Sequence, residues 1–178
     1  MNQKLHTKAV TCLQLVQSDT QLVSAGLDGQ IILWTLTGGI PLSKLRIINT
    51  AQMDSSSAPS IVSLAYHPQR NVLISCGGKD ERRLTFWDLN QTQPKVIKVI
   101  QATYEGELCS MSLRNDNQGL AVADDSGEVK LFNYEDGRLL KLSNNGHAAS
   151  VTALQVSPDN KLIVSGDATG GLILWDLQ

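Results

Sequence analysis

The strongest constraint on this chain is that it resembles itself. An aromatic residue closes a short β-rich run at Trp34, Trp87, Phe132 and Trp175, at intervals of 53, 45 and 43 residues. The first and last units align without a gap at an offset of 141. His6 falls on His147, Val10-Thr11 on Val151-Thr152 and Leu13-Gln14 on Leu154-Gln155. Val23-Ser24 falls on Val164-Ser165, Gly29 on Gly170, Ile32-Leu33-Trp34 on Ile173-Leu174-Trp175, and Leu36 on Leu177. A short repeat of this size cannot bury its apolar face alone, so its neighbours must cover it.

Alternation and turn chemistry place three strands in every unit. In the fourth, Ser150–Val156 alternates, with Val151, Ala153 and Leu154 competing for the inner face. Ser157-Pro158-Asp159-Asn160 then makes a turn, because proline presets φ and Asp and Asn tolerate tight geometry. Lys161–Ser165 is a short apolar strand, Gly166–Gly171 a second turn and Leu172–Leu177 a third strand. The same pattern recurs at 9–36, 61–89 and 107–134, each followed by an outer strand at Pro41–Ile48, Lys95–Gln101 and Arg138–Leu142. No helical periodicity reaches ten residues, so the expected fold is all-β.

Composition agrees. The chain has 178 residues, 15 basic and 17 acidic side chains and a net charge of −2. Only 18% of it is charged, and polar uncharged residues fill its turns. A pI near 5.9 supplies no broad positive field for nucleic acid or anionic lipid, so neither is an expected partner. Cys12, Cys76 and Cys109 are odd in number and widely spaced, which argues against a zinc site and a secreted disulfide framework. Neither a signal-like N-terminus nor an apolar run of transmembrane length is present, and the expected compartment is the reducing cytoplasm.

The Trp-Asp pairs at Trp87-Asp88 and Trp175-Asp176, the Gly146-His147 pair and the Ser24–Gly29 turn resemble WD40 repeats. The resemblance implies one β-propeller blade per repeat within a single WD40 domain over 1–178, with blades near 6–48, 58–101, 104–142 and 147–178. It also implies a buried tetrad in which a histidine, a serine, a turn aspartate and the tryptophan are hydrogen-bonded. Carried over by position, the first repeat has His6, Ser24, Asp28 and Trp34. The fourth keeps His147, Ser165 and Trp175 but has Thr169 at the aspartate position, with Asp167 nearby at a place expected to shift the turn. The second keeps Ser75, Asp80 and Trp87, with Ala58 where histidine would stand. The third has Tyr104, Val122, Ser126 and Phe132, so its tetrad is expected to be absent and its positions filled by apolar or neutral groups.

Four blades lie at the low end of the propeller range. Three arrangements stay open: a segment of a longer propeller, a partial propeller completed by another chain or by a second copy, and a closed four-bladed ring. Met1–Leu5 would be the source of any outer strand missing from the fourth blade.

Catalysis finds no positive support. His6, Ser24 and Asp28 are the residue types of a hydrolase triad, but no Gly-x-Ser-x-Gly elbow accompanies them. The turns at Gly166–Gly171 and Gly77–Arg83 lack the phosphate-loop pattern. His67, between Tyr66 and Pro68, is expected to face solvent, and Asp116, Asp124 and Asp125 lack calcium-loop spacing. No catalytic, metal or cofactor-binding residue is therefore assigned, and the chain is not expected to be an enzyme. The surface most suited to a protein partner is at the second repeat, where Met53, Lys79, Arg82 and Arg83 combine interface-enriched residue types.

Two functions follow from the resemblance: a non-catalytic scaffold in a multiprotein assembly, or a substrate-recognition or regulatory module of an enzyme complex such as a ubiquitin ligase or a signalling complex. Glu105–Leu177, with Val129–Tyr134 followed by Gly146-His147, is similar to the terminal repeats of cilia- and flagella-associated WD-repeat proteins. That similarity implies an axonemal or other cytoskeletal setting.

Overall fold

The structure is a computed structural model that describes residues 5–36, 43–49, 60–77, 82–91, 93–101, 106–142 and 146–177. Among the described residues fifteen strands are formed and no helix occurs. The first sheet holds β1 (Val10–Val16), β2 (Gln21–Gly26), β3 (Gln30–Thr35) and β4 (Ser43–Asn49), in chain order. The second holds β5 (Ile61–His67), β6 (Val72–Gly77), β7 (Arg83–Asp88) and β8 (Lys95–Gln101). The third holds β9 (Leu108–Leu113), β10 (Gly119–Asp124), β11 (Val129–Asn133) and β12 (Leu139–Leu142). The fourth has three strands among the described residues, β13 (Val151–Val156), β14 (Leu162–Asp167) and β15 (Leu172–Asp176). Residues 1–4, the expected source of a completing strand, lie outside the described residues.

Simple alternation is interrupted at a place that recurs in all four sheets. The first strand slips register against the second between Val10 and Cys12, Ile61 and Ser63, and Val151 and Ala153, and opposite Ala123–Asp124 in the third sheet. An extra residue in one strand reverses which side chains face inward beyond it. This settles the competition in β13: Val151 and Leu154 are both buried and Ala153 is exposed. The next turn is shaped by asparagine. Asn71, Asn117 and Asn160 each adopt positive φ (52°, 59° and 60°), a conformation asparagine tolerates better than other residues with a β-carbon.

The chain divides into two compact units, Met1–Val99 and Ile100–Gln178. Within the first, Val23, Ala25, Ile31 and Leu33 of the first sheet pack on Ile61, Leu64, Leu73, Trp87 and Leu89 of the second. Within the other, Ala121, Ala123, Val129 and Leu131 pack on Val151, Leu154, Val156 and Ile163, with Trp175 and Leu177 at the margin. Each junction sets four small or branched residues from β2 or β10 and their following strands against the first strand and tryptophan face of the next sheet. β-Branched and aliphatic residues suit such a pleated, covered surface.

Two expectations need correction. β14 runs on to Asp167 rather than stopping at Ser165, which changes the site below. His67 is buried instead of facing solvent, and its Nδ1 accepts the Arg70 N–H at 3.4 Å. The turn after β5 folds back over the ring, so its position before Pro68 does not expose it.

Candidate functional site

The candidate site of the first sheet is a chain of hydrogen bonds that starts in the backbone ahead of β1. His6 Nδ1 lies 3.1 and 3.0 Å from the two Asp28 oxygens, and its Nε2 lies 2.8 Å from Ser24 Oγ. Trp34 Nε1–H donates to the same Ser24 oxygen at 2.8 Å. A carboxylate only accepts, so Nδ1 donates to Asp28, and for a neutral ring Nε2 then accepts the Ser24 proton. Donors thus run one way, from indole to hydroxyl to imidazole to carboxylate. All four side chains are buried, and the bonds join the entering segment, β2, the following turn and β3.

Asp28 is further held by the N–H groups of Thr7 at 2.8 Å and Gln30 at 3.1 Å. Burial pushes its pKa upward, but those amides and the His6 ring outweigh it and hold the carboxyl below its usual value.

The fourth sheet builds the same chain differently. His147 Nδ1 donates to Asp167 Oδ2 at 2.8 Å, Ser165 Oγ meets His147 Nε2 at 2.6 Å, and Trp175 Nε1–H donates to Ser165 Oγ at 2.8 Å. The expectation that Asp167 would shift the turn is overturned. Asp167 stands two residues after Ser165 in the extended β14, and residues two apart in a strand share a face. Thr169, at the aligned aspartate position, orients that carboxylate instead, donating its hydroxyl at 2.8 Å and its N–H at 2.9 Å to Asp167 Oδ1. The Thr169 hydroxyl, then the Gly171 N–H and the His147 ring, hold Asp167 well below the usual carboxylate range.

In the third sheet, Val122 and Phe132 stand where serine and tryptophan would, but the site is not wholly apolar or neutral. Asp124, two residues after Val122, is fully buried. Its oxygens accept from the Ser126 hydroxyl at 2.8 and 2.9 Å, from Glu128 N–H at 2.9 Å and from Gly106 N–H at 3.2 Å. Three donors, one hydroxyl and two backbone amides, stand where the histidine would. The shared pattern Asp124-x-Ser126 and Asp167-x-Thr169 carried the signal for both carboxylates. In the second sheet Trp87 Nε1–H donates to Ser75 Oγ at 2.9 Å, while Ala58 and Asp80 lie outside the described residues. Tyr104 also lies outside them.

Serine, imidazole and carboxylate thus stand in the order of a hydrolase triad in two sheets. Their surroundings differ from one. The Ser24 and Ser165 hydroxyls are buried and already accept an indole N–H, and His147 packs edge-on against Trp175 with ring centroids 6.3 Å apart. Among the described residues no group of three or more His, Cys, Asp or Glu side chains is placed to hold a metal ion. No described helix is long and apolar enough to cross a membrane.

Of the expected partner surface, Met53 and Lys79 lie outside the described residues. Arg82 is exposed and Arg83, half-buried, opens β7. The cysteines are free thiols; Cys76 is buried, Cys12 and Cys109 partly so. Burial pushes the Cys12 thiol up to about 11 and raises Cys109, whose neighbouring carboxylates add to the shift.

Comparison with known proteins adds family to geometry. The family model for the WD domain, G-beta repeat, matches residues 2–35 and 138–176. Cilia- and flagella-associated protein 52 of Chlamydomonas reinhardtii is 30% identical over 175 residues, covering 98% of this chain and 26% of that protein. The Homo sapiens protein of the same name is 23% identical over 172 residues, covering 97% of this chain and 25% of its own length. A guanine nucleotide-binding protein subunit beta of Oryza sativa subsp. japonica is 22% identical over 172 residues, 93% of this chain and 43% of that subunit. The chain therefore spans about a quarter of the length of the cilia- and flagella-associated relatives it matches. The WD repeat model matches the first sheet and the fourth, and the four antiparallel sheets, each with its described strands in chain order, are consistent with WD40 blades of a partial propeller.

Proposed function

We propose that the protein is a non-catalytic scaffold for protein–protein contacts within a ciliary or flagellar assembly, placed in the cytoskeleton of the axoneme. The observation that carries this reading is similarity across nearly the whole chain to proteins named as cilia- and flagella-associated, joined to a blade architecture. The hydrogen-bonded tetrads fit a clamp within each blade, with His6, Ser24, Asp28 and Trp34 in the first and His147, Ser165, Asp167 and Trp175 in the fourth. Buried, mutually satisfied polar chains rigidify a fold and leave its rims to vary.

Partners are then proteins, and a further propeller blade is one of them. The turn leading into β7 is the proposed rim contact for an acidic protein surface. Arg82→Glu with Arg83→Glu is expected to deplete the set of bound proteins several-fold, with circular dichroism confirming that the chain stays folded. An unchanged set removes the turn from the interface.

The wider reading is tested by proximity labelling with the full chain fused to a biotin ligase in ciliated cells. Axonemal proteins are expected to be enriched over the cytosolic background. Labelling confined to soluble cytosolic proteins would sink it. The match to a guanine nucleotide-binding protein subunit beta favours one second reading, a regulatory module of a signalling complex. In the same experiment that reading predicts labelled membrane-proximal signalling proteins in place of axonemal ones.

A further inference from the structure

The outer strands carry one sign of charge. Lys44 and Arg46 stand in β4, Lys95 and Lys98 in β8 and Lys141 in β12, and none of these strands contains an aspartate or glutamate. The chain as a whole has more acidic than basic side chains, 17 against 15, so its acids lie elsewhere. Lysine on an outer strand keeps like edges apart. The same charge attracts carboxylates, and at β8 it is joined to features that fit a strand.

β8 has 7 residues, Lys95–Gln101, and among the described residues its sheet neighbour is β7, on one side. An outer strand of that length presents a row of backbone N–H and C=O groups to a further strand. Its side chains alternate without interruption. Val96 packs against the core of the first junction and Lys98 Nζ lies 4.3 Å from the Phe86 ring centroid, so one parity is turned into the fold. The other parity, Lys95, Ile97, Val99 and Gln101, is exposed, Ile97 by 55% and Val99 by 43%. Two β-branched side chains thus share an open face with a lysine. β12 offers no such row, since it has 4 residues and slips register between Leu139 and Lys141.

Cations continue along the edge. β7 and β8 are joined by the short connection 89–94 and run antiparallel, so Arg83 at the start of β7 stands beside the end of β8. Arg82 precedes it, exposed. Between Asp88 and Glu105 the sequence has no acidic residue. Other occupants fit this edge less well. Antiparallel pairing in full register with β8 of a second copy sets Lys98, the middle residue, opposite itself, and like charges directly opposite are destabilising. Further sheets of the array stack on sheet faces, as those within each unit do, and leave an outer edge open. β8 also lies in the interior of the chain, between β7 and β9, so neither chain end creates its open edge. It carries no aromatic residue on which a nucleic-acid base could stack.

We propose that β8 takes an additional strand from an acidic partner protein, an extended segment that alternates carboxylate with aliphatic side chains. The aliphatic residues pack beside Ile97 and Val99, the carboxylates meet Lys95 and the Arg82–Arg83 turn, and backbone hydrogen bonds join the two edges. This rests on the reading of the chain as a protein-binding scaffold and names the chemistry of one partner.

Fluorescence anisotropy with the full chain and a short fluorescent peptide alternating glutamate and valine tests this. Saturable binding is expected, and raised salt should weaken it. Lys95→Glu with Ile97→Glu should weaken it about tenfold, through one repelled carboxylate and one lost apolar pair. Lys95→Gln should give a smaller loss in the same direction, with circular dichroism confirming folded chain throughout. Methylating the amide nitrogens of alternate peptide residues blocks one edge of the peptide. One methylated register is expected to abolish binding and the other to retain it, because a strand pairs through a single edge. Equal binding of the two methylated peptides shows a loose charge contact and overturns strand addition. Absence of saturable binding, an affinity unchanged in Lys95→Glu with Ile97→Glu, or tighter binding of a single-stranded oligonucleotide of equal charge overturns it as well. The peptide assay needs no ciliary protein, so its failure is distinct from that of the proximity-labelling experiment.

Discussion

At Ser24 one oxygen holds two neighbours: it accepts the Trp34 indole proton and faces His6 Nε2, all within a buried space. Ser24→Ala leaves an indole N–H and an imidazole nitrogen without their partner, and an unsatisfied buried group costs about 1–3 kcal/mol. Chemical denaturation is expected to show a loss of that order, and no loss would mean that the tetrad contributes little. In the fourth sheet, Asp167→Ala should lower the melting temperature by more than Thr169→Val, because the threonine acts through the carboxylate. Equal effects would return Thr169 to the role its alignment implied. The carboxylates also set a pH dependence. Asp28 and Asp167 both titrate below their ordinary value of 3.8 when folded. Their contribution is complete above that value and is lost as the pH falls through the lower, folded values. Denaturation midpoints should thus decline below about pH 4, and Asp28→Asn with Asp167→Asn should flatten that decline. An unaltered profile would assign acid unfolding to other groups.

At the level of elements, the hairpin turn between β10 and β11 has a task that its sequence does not announce. Gly127 lets the backbone ahead of β13 lie directly against it, with positive φ and no room for a side chain. Gly127→Ala meets both obstacles, and strained backbone of this kind costs on the order of 1–3 kcal/mol. A drop in melting temperature is expected, together with faster amide exchange at His147. Exchange that stays slow would show that the contact yields without breaking. The bulges act at the same scale. Strand existence was legible from alternation and turn residues, as β8 shows by matching its expected span of Lys95–Gln101. The inward set of β13 was not legible, since one inserted residue reverses the parity on which any reading of alternation depends.

Across the whole molecule, identical positions experience different surroundings. Ile31 and Leu172 occupy the same place in their repeats, yet one is fully buried and the other largely exposed. Removing buried atoms from a junction costs about 2–5 kcal/mol, including the cavity left behind. Ile31→Ala should destabilise by that amount in dilute protein, whereas Leu172→Ala should change stability by no more than about 0.5 kcal/mol. Comparable losses at both positions would show that the fourth sheet's outer face is already covered within the single chain. Array proteins distribute stability over intrinsic and neighbour terms, so the pair measures the neighbour term directly.

Strand, turn and repeat were determined by the sequence alone, because alternation, glycine and asparagine placement and the recurrence of Trp34 at Trp175 are local properties of the chain. The complete tetrad of the first blade was legible for the same reason: its four residues match the repeat pattern without displacement. The roles of Asp167 and Asp124 were decided only in three dimensions, where extension of the second strand places each on the inner face beside donors from the next turn. Tertiary structure alone also separates the buried aliphatic faces from the open ones. A side chain's burial depends on the sheet stacked against it, and residues of like type at equivalent positions carry no local mark of whether that sheet is present.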